Sequence, residues 1–210
     1  MASGEYHRSG MLDKIDVLKL YNKFGLSANE IAQKYNISVW RVISFMRRNK
    51  IKRRKPSETI KIQFERSPLS FKRIDKLDIN LQKLFISGLS LYWAEGSKAN
   101  KAAVDFANSN EKMLLIFTRM LRKIYFVNEK RLRVYIYCFS NQNSGKLIEY
   151  WSEKLNIPQK QFSKPYVRRD FKTEKVGKMP YGLVHVRYYD TRLLRQILLD
   201  IDIIATDLLN

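Results

Sequence analysis

Cysteine is almost absent: Cys138 is the only one in 210 residues. No intramolecular disulfide can form and no thiolate cluster can hold zinc, so Cys138 reads as a small apolar filler in a strand. Histidine is nearly as scarce. His7 and His185 stand far apart, which leaves little from which to build a His-rich metal site or a Ser-His-Asp triad. Long hydrophobic runs are missing as well. No stretch of about eighteen apolar residues occurs, so no membrane span is expected. The opening MASGEYHRSG lacks the apolar centre of a signal peptide. The expected setting is intracellular, in the cytoplasm at the nucleoid if the source is prokaryotic. Acidic residues are the last shortage: 20 Asp+Glu face 40 Lys+Arg, a formal charge of +20. Surplus cations repel one another in a compact fold, and a bound polyanion relieves that. Of nucleic acid, an anionic membrane and an acidic protein, nucleic acid is the expected partner.

What is present supports a folded chain. A hydrophobic fraction of 45%, with 12% aromatic residues, argues against general disorder. The length suits one small module and one domain of ordinary size. Residues 1–11 read as a flexible leader. From Leu12, the apolar positions Ile15, Val17, Leu18, Leu20 and Tyr21 suggest a short amphipathic helix closed by Phe24-Gly25-Leu26. Ser27 and Glu30 form the S-x-x-E capping pattern that opens a second helix, whose Ile31, Ala32 and Tyr35 share a face. Asn36-Ile37 makes a tight turn. Ser38 caps a third helix in which Val42, Phe45 and Met46 recur on one side.

Two capped helices joined by a tight turn form the helix-turn-helix unit that places its second helix in a major groove of double-stranded DNA. Its outward face would carry Ser38, Val39, Trp40, Arg41, Ser44, Arg47 and Arg48. Arg41, in the first turn, can pair bidentately with guanine. Trp40 can pack on a thymine methyl or a sugar, and Arg47 and Arg48 suit phosphates. A plain three-helix bundle with a solvated basic face gives the same pattern. Directly behind, seven of the nine residues from Arg47 to Lys55 are Lys or Arg. Lys50, Lys52, Arg53, Arg54 and Lys55 can track the DNA backbone or enter a minor groove. A solubilising tail is the other reading. The module is placed at 12–55, followed by a linker at 56–76 punctuated by Pro56-Ser57 and Ser67-Pro68.

The rest, 77–210, alternates helices and strands in an α+β pattern. A long helix is expected over Ile79–Glu95, and a strand at Val104–Ala107. A helix over Glu111–Tyr125 follows, then a strand at Arg131–Phe139 that alternates cleanly. Next come a helix at Leu147–Leu155, strands at Phe162–Val167 and Leu183–Tyr189, and a final helix to Leu209. Within the first helix, residues 88–96 read GLSLYWAEG. Here the chain resembles the LAGLIDADG family of homing endonucleases. The resemblance covers about 80–210, and only this nine-residue motif is specific. Ser90 stands where the family usually has glycine, and the family's helix-strand-strand-helix-strand-strand-helix order has no counterpart for the helix at Leu147.

The resemblance implies an α+β fold with an antiparallel sheet and a homodimer built on Leu89, Ser90, Trp93 and Ala94, the small pair at 90 and 94 letting two helices cross closely while Leu89 and Leu91 enter their own domain core. It also implies Glu95 as the catalytic acid and Glu95 with Gly96 as Mg²⁺ ligands. Physically, a carboxylate at a helix C-terminus is unfavourable by roughly 0.3–1 kcal/mol, and a divalent cation reverses that. A salt bridge to Lys98 or Lys101 does so equally well. The sheet would then sit on DNA through Arg133, Tyr135 and Tyr137 on one strand and His185, Arg187 and Tyr189 on another. An ordinary solvated sheet face is the alternative. Lys164, Arg168, Arg169, Lys172, Lys175 and Lys178 form a second basic stretch suited to phosphates. Two functions are therefore expected: a Mg²⁺-dependent, site-specific DNA endonuclease, or a cleavage-inactive regulator of the WhiA-like type. An RNA-binding protein has the right charge, but a helix-turn-helix does not fit an A-form groove.

Overall fold

A computed structural model describes residues 11–98, 102–168 and 179–210. The chain divides into two compact units, Met1–Pro68 and Leu69–Asn210.

The first unit is helical. Helix α1 (Lys14–Leu18) opens under Asp13, whose carboxylate accepts from the Ile15 and Asp16 N–H groups. It widens into one π-helical turn, Lys19–Lys23. The chain then reverses at Gly25, which takes φ +67° with Ile62 only 2.6 Å from where a Cβ would lie, so glycine is required twice over. Helix α2 (Ala28–Tyr35) carries the full capping box: Glu30 N–H donates to Ser27 Oγ, and Ser27 N–H donates to Glu30 Oε2. Asn36 turns left-handed at φ 51°. Ser38 caps α3 (Val39–Arg48) by accepting from Arg41 N–H. Val17, Tyr21, Ile31, Ala32, Tyr35, Val42, Met46 and Ile51 form the core.

The stretch 56–76, expected to be a linker, holds a helix followed by ten residues without regular secondary structure, and both parts pack on their units. Helix α4 (Pro56–Arg66) begins with proline in its first turn, where the missing N–H costs nothing. It belongs to the first unit: Gln63 Nε2 donates to Ser27 Oγ and Glu30 Oε2, and Arg66 pairs with Glu30 at 3.2 Å. From Leu69 the chain belongs to the second unit. Lys72 and Ile74 donate their N–H groups to the carbonyls of Tyr125 and Ile124. The apolar residues of 56–76 are used within the two units: Ile62 lies against Gly25, and Phe71 and Ile74 pack on the core of the second unit.

In the second unit, α5 (Ile79–Glu95) leads to β1 (Val104–Asn108), α6 (Glu111–Lys123) and β2 (Leu132–Phe139). Then come α7 (Ser144–Leu155), β3 (Tyr166–Arg168), β4 (Leu183–Tyr188) and α8 (Thr191–Leu209). The sheet order is β1-β4-β2-β3. β4 runs antiparallel to β1 and β2, but β3 is parallel to β2. The sheet is therefore mixed rather than antiparallel. Helix α7 is the cause: it works as the crossover that returns the chain to the same end of the sheet. The strand expected at Phe162 starts only at Tyr166, because Gln159–Gln161 is a 3-10 turn.

One sheet face, with Val104, Phe106, Val134, Ile136, Val184 and Val186, packs into a core shared with Phe117, Met120, Leu121, Trp151 and Ile197. Burying such a side chain stabilises by roughly 1.5–3 kcal/mol. Cys138 is buried as expected, and burial pushes its thiol pKa up. The opposite face keeps the alternate positions of β2 and β4 partly open. Among the described residues no helix is long and apolar enough to cross a membrane.

Candidate nucleic-acid interface

Helix α3 turns Val42 and Met46 inward and leaves Trp40, 67% accessible, together with Val39, Arg41, Arg47 and Arg48 on its exposed side. Ser44 is half-buried. Ser38 spends its hydroxyl oxygen on the Arg41 N–H at 3.3 Å, so it orients the first turn rather than offering a free acceptor. Arg47 and Arg48 sit in the last turn, where cations suit the partial negative charge of the helix end. The two features together give a helix with one apolar side locked in the core and one cationic, aromatic side in solvent.

The basic run behind α3 is not uniform. Arg54 was expected among the residues meeting DNA, but it is folded into the unit. Its guanidinium lies over the Tyr21 ring at 4.0 Å and donates to the carbonyls of Gly25 and Leu26, while its backbone N–H donates to Tyr21 Oη. Its Nε is buried without a hydrogen-bond partner. The reason is local: the α1–α2 turn leaves carbonyls pointing at one spot, and a planar cation with several donors fills it. Lys52 and Arg53 stay exposed, while Ile51 just before them enters the core. Arg54 and Ile51 thus pin the run and present the other cations outward.

At the end of α5 the expectations divide. Leu89 is 2% accessible inside its own core and cannot form part of an interface with another chain. The close helix approach within this unit uses Gly88, where a Cβ would meet Met120 Sδ at 2.4 Å. Ser90, Trp93 and Ala94 are exposed, and Ile79 and Ile86 are exposed on the same helix. Glu95 is exposed and has no ion pair among the described residues. Lys98 does not neutralise it; the ammonium donates to the Trp93 carbonyl at 2.5 Å instead. Gly96 donates to Tyr92 O and bridges antiparallel to Phe106, and a Cβ there would run into the Tyr92 carbonyl. Among the described residues no three metal-ligating side chains come together. The described residues of one chain thus bring a single carboxylate, Glu95, to this helix end, beside the Lys98 ammonium.

The open sheet face gathers the remaining residues. Register places Asp105 opposite Arg187, and Arg187 opposite Arg133; the next row holds Ala107, His185 and Tyr135, and the next Leu183, Tyr137 and Tyr166. Asp105 is only 6% accessible although it lies on this face. His185 Nδ1 and Arg187 Nε each lie 2.8 Å from one of its oxygens. Burial pushes the Asp105 carboxyl up, but the hydrogen bonds and charges of His185 and Arg187 outweigh it and hold the group below its ordinary value. Arg187 also stacks over the Tyr135 ring at 5.1 Å. Tyr135, Tyr137, Tyr166 and His185 form one run of rings, with Tyr137 centred 4.9 Å from Tyr135 and 5.2 Å from both Tyr166 and His185.

Lys164 and Arg168 are exposed before and within β3. Arg169, Lys172, Lys175 and Lys178 lie outside the described residues, as does Lys101. Sequence reasoning missed Asp105 and Tyr166. A lone aspartate in an apolar strand signals an inward partner, but only the register across β1, β4 and β2 identifies it. Tyr189, expected beside Arg187, lies one residue past β4 and still meets the Arg187 side chain. No family model, no curated protein and no solved structure matches this chain.

Proposed function

We propose that this protein binds double-stranded DNA in a sequence-selective way, with α3 entering the major groove. The observation that supports it most is the exposed face of α3, where Trp40, Arg41, Arg47 and Arg48 stand clear of a core that fixes the helix. Arg41 is the base-reading residue, and Arg47, Arg48, Lys52 and Arg53 hold phosphates. The overall charge of +20 supplies the long-range attraction. Two copies associate through the exposed Ser90, Trp93 and Ala94 side of α5. Selection from a pool of random duplexes tests the reading. An enriched motif is expected, and Arg41→Ala should flatten it at one position while keeping affinity for bulk DNA. A wild-type protein that enriches nothing would refute it.

Cleavage is the second reading, favoured by the exposed Glu95 carboxylate at the end of α5, which is free of ion pairs among the described residues. Nicking of supercoiled plasmid carrying the selected motif, with and without Mg²⁺, decides it. Activity abolished by Glu95→Gln makes the protein an endonuclease; binding without nicking makes it a regulator.

A further inference from the structure

We propose that the tyrosine end of the open sheet face is a stacking site for the unpaired bases of single-stranded DNA. The proposal rests on the reading above only in taking DNA as the partner; it assigns a different strand state and a different surface.

The chemistry of the face separates into two parts. At one end Asp105 accepts from His185 Nδ1 and from Arg187 Nε, each at 2.8 Å. The carboxylate offsets part of their charge and fixes the orientation of both side chains. At the other end the rings of Tyr135, Tyr137 and Tyr166 adjoin one another, and Tyr166 is 51% accessible. Ring faces are not complementary to a duplex, which hides its own base faces inside the stack. They are complementary to bases that have left it.

Two further features fit this occupant. Cations surround the rings: Arg187 over Tyr135, Arg133 across from Arg187, and Arg168 at the end of β3. A single strand needs such charges along its phosphates, and arginine adds its own stacking. Beside Tyr137 the sheet also opens into a cavity of about 120 Å³ lined by Cys138, Phe139, Arg168, Met179 and Leu183. Apart from Arg168 its lining residues are largely apolar, and its size suits a small planar ring. Rings, cations and cavity lie along three neighbouring strands, β4, β2 and β3, so one strand of DNA can pass over all of them.

The test uses the full chain and three labelled probes of about 20 nucleotides: oligothymidylate, oligouridylate and a mixed-sequence duplex. Binding is read by fluorescence anisotropy across a salt series. Oligothymidylate should bind, and Tyr137→Ala and Tyr166→Ala should each weaken it about fivefold to 100-fold. Those losses should be the same at every salt concentration, because stacking releases no counterions; Arg133→Ala should instead reduce the salt slope. Tyr137→Phe and Tyr166→Phe keep the ring and should bind within about twofold of wild type. Tyr166 is exposed, so its variants report on binding even if Tyr137→Ala unfolds. Alanine variants that bind oligothymidylate normally, or phenylalanine variants that lose as much as alanine ones, would overturn the proposal. Preference for oligouridylate would overturn it in favour of RNA. Arg41→Ala separates the two readings: loss of duplex selection with intact oligothymidylate binding is expected, and an inert Arg41 sinks the α3 reading alone.

Discussion

The two units present positive charge in opposite ways. In the first, the charged side chains that matter are arranged along one helix and the segment after it, so their positions follow from sequence spacing. Trp40, Arg41, Arg47 and Arg48 face outward because Val42 and Met46 face inward. In the second, the charged groups come from strands far apart in the chain. Asp105 meets His185 across 80 residues and Arg187 across 82. Its cations are partly neutralised by a buried acid, and aromatic rings take over the surface. The first unit is built to present charge, and the second to hold charge still beside a ring surface.

The largest expected effect strikes the second unit. Asp105→Ala removes the acceptor of two donors and leaves Arg187 and His185 unmatched in a partly buried site. Breaking a buried pair by removing one member costs about 3–5 kcal/mol, and the partial exposure of both donors puts the loss at the low end. Hydrogen exchange should show the loss in the sheet and not in α2 or α3. Equal loss in both units would break the comparison, because the first unit would then depend on the second for its stability.

Arg54→Ala is the matching cut in the first unit. It deletes hydrogen bonds to Gly25 O and Leu26 O and the cation over Tyr21. The orphaned Nε shows that the site is already imperfect, so about 2 kcal/mol is expected. Urea denaturation followed at α2 and α3 checks it. A stability change near zero would return Arg54 to the solvated run in which sequence placed it.

That misplacement shows where legibility ended. The capping residues Ser27, Glu30 and Ser38, the reversal at Gly25 and the outward face of α3 were all readable, because each depends on neighbours within about four residues. The alternation of Leu132–Phe139 likewise put Tyr135 and Tyr137 on a common face. Arg54 was not readable: nothing nearby in sequence separates it from Arg53, and its partners lie 28 and 29 residues earlier. Helix α4 was missed because it buries no residue fully and attaches through Ile62, Gln63 and Arg66 to partners some 33 to 41 residues earlier. Leu89 was read from its motif position into both core and interface, and the packing leaves it only the core. The Asp105 site needed strand register, which no spacing within one segment reveals.

A smaller effect concerns acid. Glu30 is pulled both ways: burial raises its pKa, but hydrogen bonds from Ser27 and Gln63 and the charge of Arg66 lower it to about 2 from 4.5. A depressed carboxylate stabilises the fold fully above its unfolded value. The contribution fades as pH falls from about 4.5 towards 2. Glu30→Gln should cost about 1 kcal/mol at neutral pH and should flatten the acid limb of first-unit stability over that window. Melting curves from pH 7 to pH 2 compare the two. An unchanged acid limb would mean that another carboxylate governs it.

The smallest stability change belongs to the residue with the plainest proposed role. Lys52 is exposed between Ile51, which is buried, and the exposed Arg53, so Lys52→Ala should leave folding within about 0.5 kcal/mol of wild type. Its effect belongs in binding. With one fewer cation on the phosphates, the slope of log affinity against log salt should fall by about 1, and all duplex sequences should weaken alike. Arg54→Ala should show the reverse pattern, with lower stability and a slope unchanged once folded protein alone is counted. The pair therefore tests whether adjacent cations of one run have been divided between holding the module together and holding DNA. If Lys52→Ala leaves the slope intact while Arg54→Ala lowers it, the division runs the other way and the pinned guanidinium must leave its pocket to bind.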